Sequence, residues 1–105
     1  MTALELLDSW PVPHAAAAVV SPAGLIAAHG PVDRAFRLAS VTKPLVARAA
    51  QVAVEEGVVE LDTPAGPSGS TVRHLLAHAS GLAMQTADVI AAPGARRIYS
   101  NAGFA

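Results

Sequence analysis

Ser40 and Lys43 open the stretch of this chain whose residue types could do chemistry together. A serine hydroxyl attacks poorly until a neighbour takes its proton, so a catalytic serine needs a partner within hydrogen-bond reach. In the tetrad Ser40, Val41, Thr42, Lys43 the lysine stands three residues on, and residues three apart share a helix face. The spacing predicts Ser40 in the first turn of a helix, with its oxygen about 2.6–3.2 Å from the Lys43 amine, or somewhat further without ligand. Unpaired N–H groups and the dipole at a helix start would favour a Ser40 alkoxide and disfavour an ammonium at Lys43. By itself SxxK is a weak pattern, since a serine there is ordinarily a cap and a lysine ordinarily a solvated charge. Its context sharpens it: Lys43 is the only lysine, Tyr99 the only tyrosine and Asn101 the only asparagine, and all three fall in candidate motifs.

Other constellations carry less. His74 and His78 have the i, i+4 spacing that lets two imidazoles share a zinc ion, but Leu75 stands where a zinc protease places its glutamate base and no third ligand is evident. Structural histidines and no metal are the expectation. No serine lies in a GxSxG elbow, and the glycines form neither a phosphate-binding nor a dinucleotide-binding loop. A net charge of −1 without a basic run gives no footprint for nucleic acid or an anionic membrane. With no cysteine there is neither a disulfide framework nor a thiolate site.

The elements that must position these residues follow from the punctuation of the chain. Thr2 to Ser9 reads as a short helix stopped by Pro11 and Pro13. Ala15 to Ser21 and Leu25 to His29 flank the turn-forming Ser21, Pro22, Ala23, Gly24 and read as a β-hairpin. Arg34 to Leu38 alternates charged with apolar residues, which predicts a half-buried strand running into Ser40. Val41 to Glu56 is apolar or small around most of its circumference, which predicts a largely buried helix ended by Gly57. Pro44 cannot donate a backbone hydrogen bond and biases Lys43 away from helical angles, so the regular helix is expected to begin only around residues 40 to 42. Val58 to Asp62 reads as a short extended piece and Thr63 to Ser70 as a surface loop. Thr71 caps a short amphipathic helix that runs to Ser80 and Gly81, and a loop follows as far as the Pro93, Gly94 turn. Of the 105 residues 52% are hydrophobic but only 4% aromatic, and many are alanine, so the core must be thin. Residues 1 to 13 lack the basic start and apolar centre of a secretory signal, and no apolar run approaches the roughly 20 residues of a membrane span. A cytoplasmic protein is expected.

Three stretches in this order resemble the serine β-lactamase-like hydrolases, the family of class C β-lactamases, D-Ala-D-Ala carboxypeptidases and related esterases. They are RLASVTKPLVARA with Ser40 and Lys43, VRHLLAHASGL, and PGARRIYSNAGF with Tyr99 and Asn101. The resemblance implies Ser40 as the acylated nucleophile, Lys43 as its proton-managing partner, Tyr99 as the general base between them, and Asn101 as a donor to the substrate. Ser100 would be a spacer, and His78, Ser80 and Gly81 part of a scaffold signature. It implies an α+β fold of the β-lactamase/transpeptidase-like type: an N-terminal helix, antiparallel hairpin strands, a buried nucleophile helix and the start of a helical subdomain.

Members of that family are much longer and carry a third motif, KTG or HxG, on a late strand that supplies half of the oxyanion hole. Residues 1–105 are therefore expected to be the N-terminal portion of a single domain, from a truncated coding region or an excised piece. Loss of one oxyanion donor costs roughly 3 to 4 kcal/mol in the transition state, so slow chemistry is expected of these residues alone. An uncovered sheet edge would invite self-association. The function expected is a serine hydrolase without metal or cofactor, acting on a small-molecule ester or amide, β-lactams included. The alternative is a non-catalytic binding or regulatory module that retains the landmarks.

Overall fold

Thr2 starts the chain's first element by donating its N–H to the Glu5 carboxylate, which anchors a 3-10 helix over Ala3–Ser9. The structure is a computed structural model that describes residues 2–105. Trp10 leaves the helix in an extended conformation, ahead of Pro11 and Pro13 as the sequence predicts. The hairpin follows: β1 is Ala17–Ser21 and β2 is Gly24–His29, paired antiparallel from Ala17 opposite His29 to Ser21 opposite Gly24. Ile26 is the extra residue of a bulge, because Val19 pairs with Ala27 while Val20 pairs with Leu25. Across this unit His29 Nε2 lies 2.8 Å from Asp8 Oδ1, tying β2 to the 3-10 helix.

By contact density the chain divides into two units, one ending at Arg37 and the other spanning Leu38 to Ala105. The expected strand over Arg34 to Leu38 is absent: the segment is irregular and exposed throughout. Alternation supplies one apolar side, but a strand also needs a neighbour for its N–H and C=O groups, and the sheet contains β1 and β2 alone. Val58 to Asp62 forms no strand either, and the chain turns there.

The second unit holds both α-helices. Helix α1, Thr42–Glu55, follows a 3-10 turn over Ala39–Val41, which puts Pro44 in the first helical turn as its missing N–H requires. It closes with the Val58 N–H on the Ala53 carbonyl and the Gly57 N–H on that of Val54, around Gly57 at φ +73°. The expectation that this helix is buried is corrected, since none of its residues is and Leu45 is 58% exposed. Its apolar positions are mostly alanines spread around the circumference, and the elements beside it in this unit are too short to cover them.

Helix α2, Val72–Leu76, is capped through Thr71, whose N–H donates to His74 Nδ1 at 3.1 Å. It ends sooner than expected, at Leu76 rather than near Ser80. His78 N–H bonds the Leu75 carbonyl and Ala79 N–H that of His74, with His78 itself left-handed at φ +56°. The centre of the unit is as thin as its composition implies. Leu82 is the one buried large apolar side chain among the described residues, and Ser70, Ser80 and Ser100 are the buried polar ones. At Gly81, φ +90°, a Cβ would overlap the Ala91 carbonyl oxygen, so only glycine lets these two strands of backbone approach.

Candidate active site

Two stretches of backbone build the site. The 3-10 turn and first turn of α1 carry Ser40 and Lys43. Ala39, just before Ser40, has φ +46°, a left-handed angle that costs a residue with a Cβ about 1 kcal/mol and marks the approach to Ser40 as locally strained. The other stretch, Ile98 to Asn101, is held against residues 78 to 84 by the Ile98 N–H on the His78 carbonyl and the Asn101 N–H on the Met84 carbonyl. Ser100 is no spacer. It is 1% exposed, donates its hydroxyl to the Ala83 carbonyl at 2.7 Å and accepts the Gly103 N–H at 3.0 Å. Ser100 is buried while its neighbours Tyr99 and Asn101 reach Ser40 and Lys43.

All four residues singled out in the sequence meet here. The Tyr99 hydroxyl donates to Ser40 Oγ at 2.6 Å. Lys43 Nζ donates to Asn101 Oδ1 at 2.6 Å and stands 4.7 Å from the centre of the Tyr99 ring. The expected direct bond between Lys43 and Ser40 is therefore replaced by an arrangement in which Tyr99 takes the serine and Asn101 takes the lysine. Shared helix face put the two groups on one side, but the end of a long side chain goes to its best acceptor. Ser40 is exposed and Lys43 half-buried. The Tyr99 phenol is held below its ordinary pKa of 10.0, first by the Lys43 amine beside it, then by hydrogen bonding with Ser40, and further by the Arg97 charge.

Of the residues around these four, Gln85 gave no sequence signal, and His78 was read only as part of the scaffold. Gln85 Oε1 accepts the Asn101 side-chain N–H at 2.9 Å, which fixes the amide so that its oxygen faces Lys43. The His78 ring stacks 4.7 Å from that of Tyr99 and 5.1 Å from that of Phe104. A cavity of about 310 Å³ opens beside the nucleophile, lined by Ser40, Lys43, His78 and Tyr99 with Leu76 and Phe104 as apolar wall. His74 and His78 both use Nδ1 locally, on the backbone N–H groups of Thr71 and Ser100. A second concavity, in the first unit, is lined by Glu5, Asp8, Ser9 and His29, and Ser9 there is turned to the Leu6 carbonyl.

Such an arrangement can activate a serine: a phenol on its oxygen, a cation over that phenol, and a helix start beneath. A family model described as Beta-lactamase matches residues 6–105. The crystal structure of a beta-lactamase from Mycobacterium bovis is 74% identical in sequence and superposes with a TM-score of 0.89, over 97% of this chain and 38% of that one. The present chain thus spans well under half the length of that structure. No curated protein matches it.

Proposed function

Starting from the fact that this chain belongs to the beta-lactamase family, we propose that it carries the nucleophile of a serine hydrolase acting on small-molecule esters or amides. The observation that carries the reading is the 2.6 Å bond between Tyr99 and Ser40, 59 residues apart in sequence, beside a lysine. In the proposed step Tyr99 first loses its phenol proton to solvent, and the phenolate then accepts the Ser40 proton as Oγ bonds to the substrate carbonyl carbon. The tetrahedral oxyanion forms near the positive start of α1. Collapse breaks the bond to the leaving alcohol or amine, which takes the proton back from Tyr99 and leaves an ester on Ser40. Water then gives a proton to Tyr99 as its oxygen bonds to the acyl carbon; collapse breaks the acyl–Oγ bond, Oγ takes the proton back from Tyr99, and the carboxylic acid leaves. Lys43 lends its charge to Tyr99, and Asn101 holds Lys43 in place while offering its amide to the substrate. No helix of the described residues is long and apolar enough to cross a membrane.

Incubation with p-nitrophenyl acetate or a fluorophosphonate, followed by intact-mass and peptide mapping, tests the reading. The expected result is one adduct on Ser40, absent from Ser40→Ala. Labelling that is absent, or that survives Ser40→Ala, would refute it in favour of a non-catalytic binding module.

A further inference from the structure

His78 occupies the position after helix α2 where glycine ordinarily stands, because the backbone there must be left-handed. A glycine would close the helix without strain, so what the histidine adds at this position is its side chain. That side chain and its own backbone grip three consecutive residues. The His78 carbonyl accepts the Ile98 N–H at 2.7 Å, its ring packs on Tyr99 at 4.7 Å, and its Nδ1 accepts the Ser100 N–H at 3.0 Å.

We propose that His78 is the positioning residue for Tyr99, and that it holds Tyr99 against Ser40 and Lys43 only as the neutral imidazole. The requirement follows from the hydrogen bond. An Nδ1 that accepts an N–H has no proton of its own, whereas the imidazolium carries one on both nitrogens and would confront Ser100 donor to donor. The surroundings agree: burial first, then the Arg97 and Lys43 charges, keep His78 below its ordinary pKa of 6.5. The groups facing it are thus two cations and the Tyr99 phenol. As a statement about catalysis this rests on the reading above, but as a statement about where Tyr99 sits it does not.

Tyr99 is the only tyrosine in the chain, so phenolate absorbance of the full chain reads its titration alone. Two substitutions separate the side chain from the backbone. His78→Gly keeps the left-handed turn and removes the acceptor. His78→Asn tolerates the same backbone, presents an oxygen close to where Nδ1 lies, and cannot be protonated. The expected result is a Tyr99 titration below 10.0 in the parent, moved up toward that value in His78→Gly and restored in His78→Asn. Lowering the pH through the His78 titration should reduce Ser40 labelling in the parent and leave no such step in His78→Asn. Should His78→Gly fail to fold, the acid step present in the parent and absent from His78→Asn decides the matter alone. A His78→Gly protein that folds and titrates like the parent, or an acid step that persists in His78→Asn, overturns the proposal. A shifted Tyr99 titration with no Ser40 labelling in any of the proteins would support the positioning role while refuting the hydrolase reading.

Discussion

Replacing Ser100 by alanine removes one oxygen atom from beneath the site and adds no bulk. That oxygen serves two backbone groups, the Ala83 carbonyl at 2.7 Å and the Gly103 N–H at 3.0 Å, from a residue 1% exposed. Leaving a buried backbone group unpaired costs about 1–3 kcal/mol. Ala83 and Gly103 are half-buried, so water reaches them in part and the lower end applies to each. The expected loss is about 2 kcal/mol in total. Ser9 provides the contrast. Its hydroxyl makes the same kind of bond, 2.7 Å to the Leu6 carbonyl, but from an exposed position where water replaces it. Ser9→Ala should cost less than about 0.5 kcal/mol. Urea unfolding followed by circular dichroism measures both, with the denaturant slope unchanged and the midpoint lowered in Ser100→Ala alone. Equal midpoints for the two variants would refute the argument that burial makes Ser100 an anchor.

Three further outcomes are expected. Tyr99→Phe keeps the ring on His78 and deletes the hydroxyl on Ser40, so labelling of Ser40 should slow about a hundredfold or more while the unfolding midpoint stays put. Gly81→Ala should prevent folding of the second unit, visible as lost near-ultraviolet dichroism of Tyr99, because its Cβ meets the Ala91 carbonyl and its φ is +90°. The third concerns acid. A His78 pKa lowered in the fold means that the unfolded chain binds more protons, so its contribution is complete above 6.5 and is lost as pH falls through the folded value. Urea midpoints compared at about pH 7 and about pH 5 should therefore fall more in the parent than in His78→Asn.

What could be read from the sequence was whatever its local chemistry determines. The hairpin was legible because Ser21, Pro22, Ala23 and Gly24 form a turn on their own terms, and the end of α1 because Gly57 supplies the angle that closes it. The meeting of Ser40, Lys43, Tyr99 and Asn101 was anticipated from family landmarks, since no periodicity joins residues nearly 60 apart. The misreadings share a cause. Arg34 to Leu38 has the pattern of a strand without a neighbouring strand, and α1 has the composition of a buried helix without a cover in its unit. Ser80 and Gly81 read as the stop for α2, but the left-handed residue that ends it is His78, a type that takes this angle far less often than glycine. Lys43 was assigned to Ser40 by helix spacing, but the acceptor that wins, Asn101, lies outside any local window.

The bonds from Tyr99 to Ser40 and from Lys43 to Asn101 span 59 and 58 residues, against 16 for the one from Asn101 to Gln85. Lengthening a closed loop from 16 to 58 residues adds only about 1 kcal/mol of chain entropy, so the reach itself is thermodynamically cheap. Its effect is on timing. Helix α1 depends on contacts within itself and can form while the chain is still being made, whereas long-range closure is slow and must await the far segment. On the ribosome, Ser40 therefore stays without its Tyr99 hydrogen bond, and Lys43 without its Asn101 acceptor, until residue 101 has emerged and folded back.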